Sequence, residues 1–243
     1  MSRKKEHIYK FEYNFLTINV FNIIFTLLLI LLTVGIYKLF GFDFFKGTKT
    51  LESLGDLKFF GVIILIFGWM VLHEIIHGLS YVFHGAKFKK IKYGMALEKG
   101  IFYCKCGEYV DRTNILFSVI NPFIYIGVVT YFLGFAFESL LLLILSVVNL
   151  SGASADILIF LFFLKRDKNV KFKEIKDTST FIIKTTEDLK DKKFFAVKLV
   201  EELKDDDIKE DDKLITITKI SKWILIVIGI LLLLSLIIKI FIG

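Results

Sequence analysis

Residues 69–79 read WMVLHEIIHGL, in which His73, Glu74 and His77 form an H-E-x-x-H pattern inside an apolar run. On a helix, residues four apart share one face, so the two imidazoles can bind one Zn²⁺. Glu74 directly follows the first histidine and can act as general base toward a metal-bound water. The pattern therefore predicts the chemistry of a zinc peptidase.

The surroundings of this pattern separate a functional site from a chance match. Residues 59–83 are nearly all apolar and are long enough to cross a bilayer. A charged side chain near the bilayer centre costs about 2.5–3.5 kcal/mol on insertion scales, so histidine and glutamate at that depth usually mark function. The position of the pattern favours the metal site over coincidence.

The composition predicts an integral membrane protein, because 55% of the 243 residues are hydrophobic. The net charge of +7 does not require nucleic acid as a partner, since the lysines cluster beside apolar segments, where anionic lipid and orientation rules explain them. Cys104 and Cys106 are too few for a disulfide scaffold, and C-x-C alone lacks the spacing of a structural zinc site.

Five apolar segments are long enough to cross a hydrocarbon core of about 30 Å: residues 18–40, 59–83, 115–136, 140–164 and 223–242. We therefore predict an all-α polytopic membrane protein of about five transmembrane helices, with a short membrane-proximal β-hairpin and a small cytoplasmic α/β insert. Its four regions are an N-terminal helix and loop, a metalloprotease core, a cytoplasmic module and a C-terminal helix, at residues 1–58, 59–165, 166–222 and 223–243.

Two segments outside these spans favour strand. Residues 87–95 and 101–104, joined by a turn at 98–100, predict a β-hairpin at the mouth of the site. Its edge could take an extended substrate by strand addition, or it could be a plain surface hairpin. In the module we expect strands at 180–183 and 214–218, with a helix between them that starts at a Thr185–Asp188 capping box and continues to Leu203.

Basic residues predict the orientation. Lysine and arginine are concentrated before the first span, between the second and third spans, and after the fourth span, whereas residues 137–139 contain no base. These three basic regions fall on the same side of the membrane, which the positive-inside rule assigns to the cytoplasm. We expect a bacterial cell-membrane protein with its N-terminus inside and its C-terminus outside.

Asp156 is the predicted third zinc ligand. The histidines lie six to ten residues before the cytoplasmic end of the second span, or about 9–15 Å, and Asp156 lies about 13 Å from the same end of the fourth. The alternative is a helix-packing face of small residues around Gly152, with Asp156 protonated or bonded to the backbone. Asn149 could support the site or join helices, and the reserve candidates for the third ligand are Glu98, Glu108 and Asp111.

Residues 59–165 resemble a known family. The His73–Met95 run with its Gly85-Ala86-Lys87-Phe88 and Tyr93-Gly94 elements resembles the core of site-2-protease-type intramembrane metalloproteases. Together with Tyr103-Cys104-x-Cys106, Asn121-Pro122 and Asn149…Gly152…Asp156, it is similar to a bacterial family described as "putative zincin peptidase". Ser154-Ala155 and Ile157 flank Asp156 where site-2 proteases carry prolines and a glycine.

The resemblance implies a zinc ion bound by His73, His77 and Asp156, with Glu74 activating water to cleave a peptide bond in or beside the membrane. The expected partners are the lipid bilayer and a membrane protein or peptide substrate, without nucleic acid; the oligomeric state is left open. The alternative is a non-enzymatic, zinc-binding accessory protein that grips a partner helix along the small-residue face near Gly152.

Overall fold

The computed structural model describes residues 5–42, 58–96, 101–175, 180–190 and 192–204. The predicted fifth span at 223–242 and the predicted strand at 214–218 lie outside these residues. The chain forms two compact units. The first comprises the described parts of Met1–Val20, Ile76–Ile120 and Ala155–Ile217, and the second those of Phe21–Ile75, Asn121–Ser154 and Thr218–Gly243.

Six α-helices and one π-helical segment lie within the described residues. They are α1 (Phe15–Phe40), α2 (Lys58–Phe83), α3 (Arg112–Pro122), the π segment (Phe123–Val128), α4 (Val129–Ala136), α5 (Leu140–Gly152) and α6 (Ser154–Leu164). Three stretches are long and apolar enough to cross a membrane: Phe15–Phe40, Phe60–Phe83 and Arg112–Ala136. The α5–α6 pair, bent by 46°, makes a fourth if it is counted as one span.

The fourth predicted span is therefore broken rather than continuous. Its break at Ala153 follows Ser151 and Gly152, residues that weaken a helix because serine bonds to nearby backbone and glycine loses more conformational entropy on folding. The backbone N–H of Ala153 still bonds to the carbonyl of Asn149 at 2.9 Å, and α6 begins at the next residue. The bend places Asp156 in the first turn of a new helix.

The prediction of an all-α fold is wrong, because the first unit contains a five-stranded antiparallel sheet. Its order is β4-β5-β6-β1-β7, and its strands are β1 (His7–Tyr13), β4 (Val110–Asp111), β5 (Lys171–Glu174), β6 (Thr180–Thr185) and β7 (Val197–Leu203). The sequence prediction missed β1, which lies between β6 and β7. Strand β6 confirms the strand predicted at 180–183.

The helix predicted between Thr185 and Leu203 is also wrong. The Thr185 hydroxyl accepts from the backbone N–H of Glu187 at 3.1 Å, and the Asp188 carboxylate accepts from that of Lys190 at 3.1 Å. Each side chain therefore bonds two residues ahead and forms a turn, where a capping box would bond three ahead. Pairing with β1 then draws Val197–Leu203 into a strand despite its helical spacing of apolar residues.

The predicted hairpin is present as β2 (Ile91–Ala96) and β3 (Ile101–Cys106), an antiparallel pair in which Tyr93 faces Cys104 and Gly94 faces Tyr103. Its first strand begins later than expected, because Phe88–Lys90 form a short 3₁₀ turn.

The five-stranded sheet joins the three basic regions. Strand β1 precedes α1, β4 directly precedes α3, and β5 follows α6, so each of the three regions contributes a strand to one sheet. An aromatic cluster forms the sheet core: Phe11 is fully buried, with ring centroids 5.5 Å from Phe162 of α6 and 5.6 Å from Phe181 of β6. The end of the Asp156 helix is thereby anchored in the sheet.

The second unit is helical in its described residues. Its core packs Leu29 of α1 against Tyr131 of α4 and against Leu143 and Leu150 of α5. A Cβ at Gly127 of the π segment would meet the Leu150 side chain at 2.9 Å or less, so glycine lets α5 approach closely there.

Candidate metal centre

Helix α2 carries the H-E-x-x-H pattern as the sequence predicts. His73 and His77 lie one turn apart on this continuous helix, and their exposed fractions are only 9% and 6%. Buried imidazoles need partners for both ring nitrogens, because an unpaired buried polar group costs about 1–3 kcal/mol. The partner of each Nδ1 atom therefore indicates which ring nitrogen carries the proton.

His77 is held by a backbone carbonyl. Its Nδ1 lies 2.7 Å from the carbonyl oxygen of Ser118. A carbonyl can only accept, so Nδ1 carries a proton, and in the neutral imidazole Nε2 is then the nitrogen with the lone pair. In a regular helix the Ser118 carbonyl would accept from the N–H of residue 122, but residue 122 is proline and has none. The only proline in the chain thus frees the carbonyl that orients His77.

His73 is held by Asn149 of α5. Its Nδ1 lies 3.0 Å from the Asn149 Oδ1, while the Asn149 Nδ2 donates to the carbonyl of Pro122 at 3.4 Å. Because that carbonyl can only accept, the orientation of the amide is fixed and Oδ1 must receive a proton from His73. In a neutral imidazole with this tautomer, Nε2 is the nitrogen that carries the lone pair. Metal-binding histidines usually show this arrangement, in which the distal nitrogen donates to a fixed acceptor.

Asp156 completes the group. Its Oδ2 lies 3.5 Å from Nε2 of His77, and one ligand atom from each of His73, His77 and Asp156 lies within 4.8 Å of the others. Two ligands about 2.1 Å from a tetrahedral ion are about 3.4 Å apart, so the 3.5 Å separation fits a shared metal ion. Two imidazoles and one carboxylate are also a ligand set that zinc takes in catalytic sites. The residues present fit a zinc ion.

Glu74, the predicted general base, is half-buried on α2 next to His73. Residues one apart on a helix point about 100° away from each other, so Glu74 flanks the metal face and does not belong to the ligand group. This is the position that a base needs beside a metal-bound water.

The other ligand candidates have different roles. Asp111 accepts from the N–H of Asn114 at 2.7 Å and so caps the start of α3, and Glu108 accepts from the N–H of Lys87 at 2.6 Å. Glu98 lies outside the described residues. Cys104 and Cys106 are buried free cysteines, and burial raises the pKa of the Cys106 thiol to about 11. A protonated thiol is a poor metal ligand.

Two side chains fix the helices around the centre. Asn114 donates from Nδ2 to the carbonyls of Tyr81 and His84, at 3.1 and 2.9 Å, and so ties the end of α2 to the start of α3. Arg112 donates to the carbonyls of Phe163 and Leu164, at 2.8 and 2.6 Å, and caps the end of α6. Carbonyls at helix ends need such partners.

Sequence reasoning found the three grouped residues but missed the carbonyl that orients His77. The sequence allows Asn149 either to support the site or to join helices. In the structure its side chain bonds to Nδ1 of His73, which is a supporting role. The one available signal in the sequence is the isolated proline at 122. A proline inside a helix frees the carbonyl four residues earlier, and that consequence points to Ser118.

The comparisons with known proteins agree with this geometry. Residues 66–171 match the sequence profile of a family described as "Putative zincin peptidase". This segment contains the H-E-x-x-H pattern, Ser118, Asn149 and Asp156. No curated protein and no solved structure matches the chain, and the similarity to site-2 proteases stays a prediction. Residues 66–171, which carry the whole candidate metal centre, are therefore similar to the family described as "Putative zincin peptidase".

Proposed function

We propose that this chain is a membrane-embedded, zinc-dependent endopeptidase that cleaves membrane-associated proteins or peptides. The observation that carries the proposal is that Nδ1 of His73 and Nδ1 of His77 each lie against a fixed acceptor, while one ligand atom from each histidine and from Asp156 lies within 4.8 Å of the others. A structural cluster of buried histidines would not require this matched arrangement.

The residues have separate roles in the proposed reaction. A bound zinc ion supplies a water whose pKa falls to about 7 and polarises the scissile carbonyl. Glu74 takes one proton from the attacking water, the carbonyl carbon gains the water oxygen, and the C–N bond then breaks as Glu74 returns the proton to the leaving amine. The hydrogen bonds from Nδ1 to Asn149 and Ser118 keep both imidazoles in the tautomer that binds metal.

The depth of the site defines the proposed substrate class. His73 and His77 lie ten and six residues before the end of α2 at Phe83, which is about 9–15 Å inside a spanning helix. Orientation by the positive-inside rule would put this end in the cytoplasm. A substrate helix must unwind to expose a peptide bond, so segments that contain glycine or proline should be preferred.

A paired measurement on detergent-purified protein tests the proposal. Wild type and Glu74→Gln are incubated with a mixed peptide library, products are identified by mass spectrometry, and zinc is measured in both proteins. We expect about one zinc ion per chain in each and products only with wild type, lost on chelation and restored by zinc. Equal cleavage by the two proteins would rule out the mechanism.

A second function is favoured by one observation. Gly152 is exposed, and a Cβ built on it would meet no described atom within 4 Å, so this face is open to a partner helix within the described part of the chain. An accessory protein that binds a partner there would keep its complex after zinc removal. Gly152→Leu would disrupt that complex. Under the peptidase proposal the same variant would keep its metal centre and change cleavage only through substrate docking.

A further inference from the structure

The hairpin touches α2 next to the metal ligands. The hydroxyl of Tyr93, on β2, occupies the place where a side chain at Gly78 would begin: a Cβ there would overlap the hydroxyl and come within 3.1 Å of Ile91 Cγ2. Any residue other than glycine at position 78 would have to displace the Tyr93 hydroxyl from this place. The sequence thus keeps a phenol against the backbone of the residue that follows His77.

The helix geometry shows which side of the site this hydroxyl occupies. Gly78 lies four residues after Glu74, and side chains four apart on a helix are neighbours, with Cβ atoms about 5–6 Å apart. The Cα–Cβ bond of a helical residue tilts toward the N-terminus, so a group at the Cβ position of Gly78 lies toward the turn that carries Glu74. The Tyr93 hydroxyl is therefore on the side of α2 where the general base would act.

Peptide hydrolysis is faster with a hydrogen-bond donor near the scissile carbonyl oxygen. When water adds to the scissile carbonyl, the carbonyl oxygen gains negative charge, and a fixed hydrogen-bond donor aimed at that oxygen stabilises the transition state. A phenol is a good donor for this purpose, because it keeps its proton at neutral pH and its ring position is fixed by packing.

We propose that Tyr93 is a catalytic residue whose hydroxyl donates a hydrogen bond to the substrate carbonyl oxygen as it becomes negatively charged. This inference rests on the proposed peptidase function and deepens it. The tyrosine keeps its proton throughout: the proton of the attacking water passes to Glu74 and then to the leaving amine, and the charge on the carbonyl oxygen disappears when the C–N bond breaks.

The hairpin offers a matched control. The hydroxyl of Tyr103, on β3, packs against Gly94 in the same way, within the hairpin and away from α2. Tyr93→Phe and Tyr103→Phe each remove one phenol hydroxyl from the hairpin. The two tyrosines lie on its two paired strands, in which Gly94 of β2 is opposite Tyr103 of β3. A loss that comes only from weakening the hairpin should appear in both variants.

Kinetics on a peptide that wild type cleaves provide the first test, with Glu74→Gln alongside. We expect Tyr93→Phe to lower kcat about 100-fold, with KM within about twofold and zinc content unchanged, since a donor to the developing charge acts mainly in the transition state. Tyr103→Phe should keep wild-type kcat. Wild-type kcat in Tyr93→Phe, or equal losses in the two variants, would overturn this inference alone. Cleavage by Glu74→Gln equal to that by wild type would overturn the proposed peptidase mechanism as well.

A binding measurement gives a second readout that does not depend on turnover. The protein is loaded with Co²⁺ and titrated with acetohydroxamate, followed by visible absorption. We expect Tyr93→Phe to bind the hydroxamate about tenfold more weakly than wild type, with the same Co²⁺ content and the same spectrum before titration. Equal affinity in the two proteins would count against a donor at this position.

Discussion

The backbone carbonyl of Ser118 accepts a hydrogen bond from Nδ1 of His77 at 2.7 Å. That carbonyl is available because Pro122, four residues later, has no N–H to offer it. The orientation of His77, a candidate metal ligand on α2, therefore depends on a proline in another helix. A ligand held by backbone is more rigid than one held by a long side chain, because the acceptor loses no rotamer freedom.

Pro122→Ala should weaken zinc binding without removing a ligand. Alanine restores the backbone N–H, which competes with His77 for the Ser118 carbonyl. Since removing an outer-shell partner of a metal-bound histidine typically costs 10–100-fold in affinity, we expect zinc to bind about tenfold more weakly. The measurement is zinc competition against a chelator of known affinity.

Ser118→Ala is the control for that prediction. It removes the hydroxyl that donates to Oδ1 of Asn114 at 3.0 Å but keeps the carbonyl that accepts from His77. Zinc affinity should stay near that of wild type. If Pro122→Ala binds zinc as tightly as wild type, the freed carbonyl has no part in holding the ligand.

Substitutions at Asn149 should separate the acceptor from the bulk of the side chain. Asn149→Leu keeps similar volume but leaves Nδ1 of His73 without its acceptor, and we expect zinc affinity to fall 10–100-fold. Asn149→Asp retains an oxygen that accepts from His73, so it should bind zinc within a few fold of wild type. The same competition measurement applies, and similar losses in both variants would show that the lost bond to Pro122 matters more.

The residues of the candidate site could be predicted from two kinds of signal: their spacing along one helix, and their distance from the end of a helix. His73 and His77 are four residues apart, and helix geometry alone brings them together. Asp156 could be placed by its distance from the end of its helix, because a bilayer aligns helices along one axis. Ser118 could not be predicted, since its contribution is a backbone carbonyl and its side chain gives no signal of that role.

The sheet was harder to predict for the opposite reason. Strand β1 pairs with β6 and β7, about 170 and 190 residues away in the chain. Its apolar residues, including Ile8 and Phe11, lie just before a long apolar helix, and the sequence shows no neighbouring strand with which they could pair. The β7 segment has apolar residues at helical spacing, and it forms a strand because its backbone pairs with β1.

Acid should destabilise the outer edge of the sheet through Glu202. Hydrogen bonds from Lys190 and then His7 lower the pKa of this carboxyl from 4.5 to about 2. A lowered pKa in the folded state means that the contribution to stability is complete above about pH 4.5 and is lost as the pH falls toward 2. We expect the melting temperature to fall over that window, and Glu202→Gln to reduce the fall.

Glu201→Gln is the matched control, one residue away on β7. Glu201 pairs with Lys10 at 3.2 Å, and its side chain is 50% exposed, so solvent screens the pair. Its variant should keep the wild-type dependence of melting temperature on pH. An unchanged pH dependence in Glu202→Gln would show that the Lys190 and His7 contacts contribute nothing to stability in solution.

Phe11→Ala should unfold the sheet far more readily than a substitution at an exposed phenylalanine. The ring is fully buried and contacts Phe162 and Phe181, so its removal leaves a cavity at the centre of the aromatic core. Large-to-small changes of this kind cost about 3–5 kcal/mol in the free energy of unfolding. Phe195→Ala, at a side chain that is 68% exposed, should cost well under 1 kcal/mol. The measurement is urea unfolding of the detergent-solubilised protein, monitored by limited proteolysis within residues 165–204.

Because Phe162 lies on the helix that begins beside Asp156, the Phe11→Ala variant should also bind zinc more weakly when the sheet opens. Equal sensitivity of the two variants to urea would mean that β1 is not part of the sheet in the folded protein.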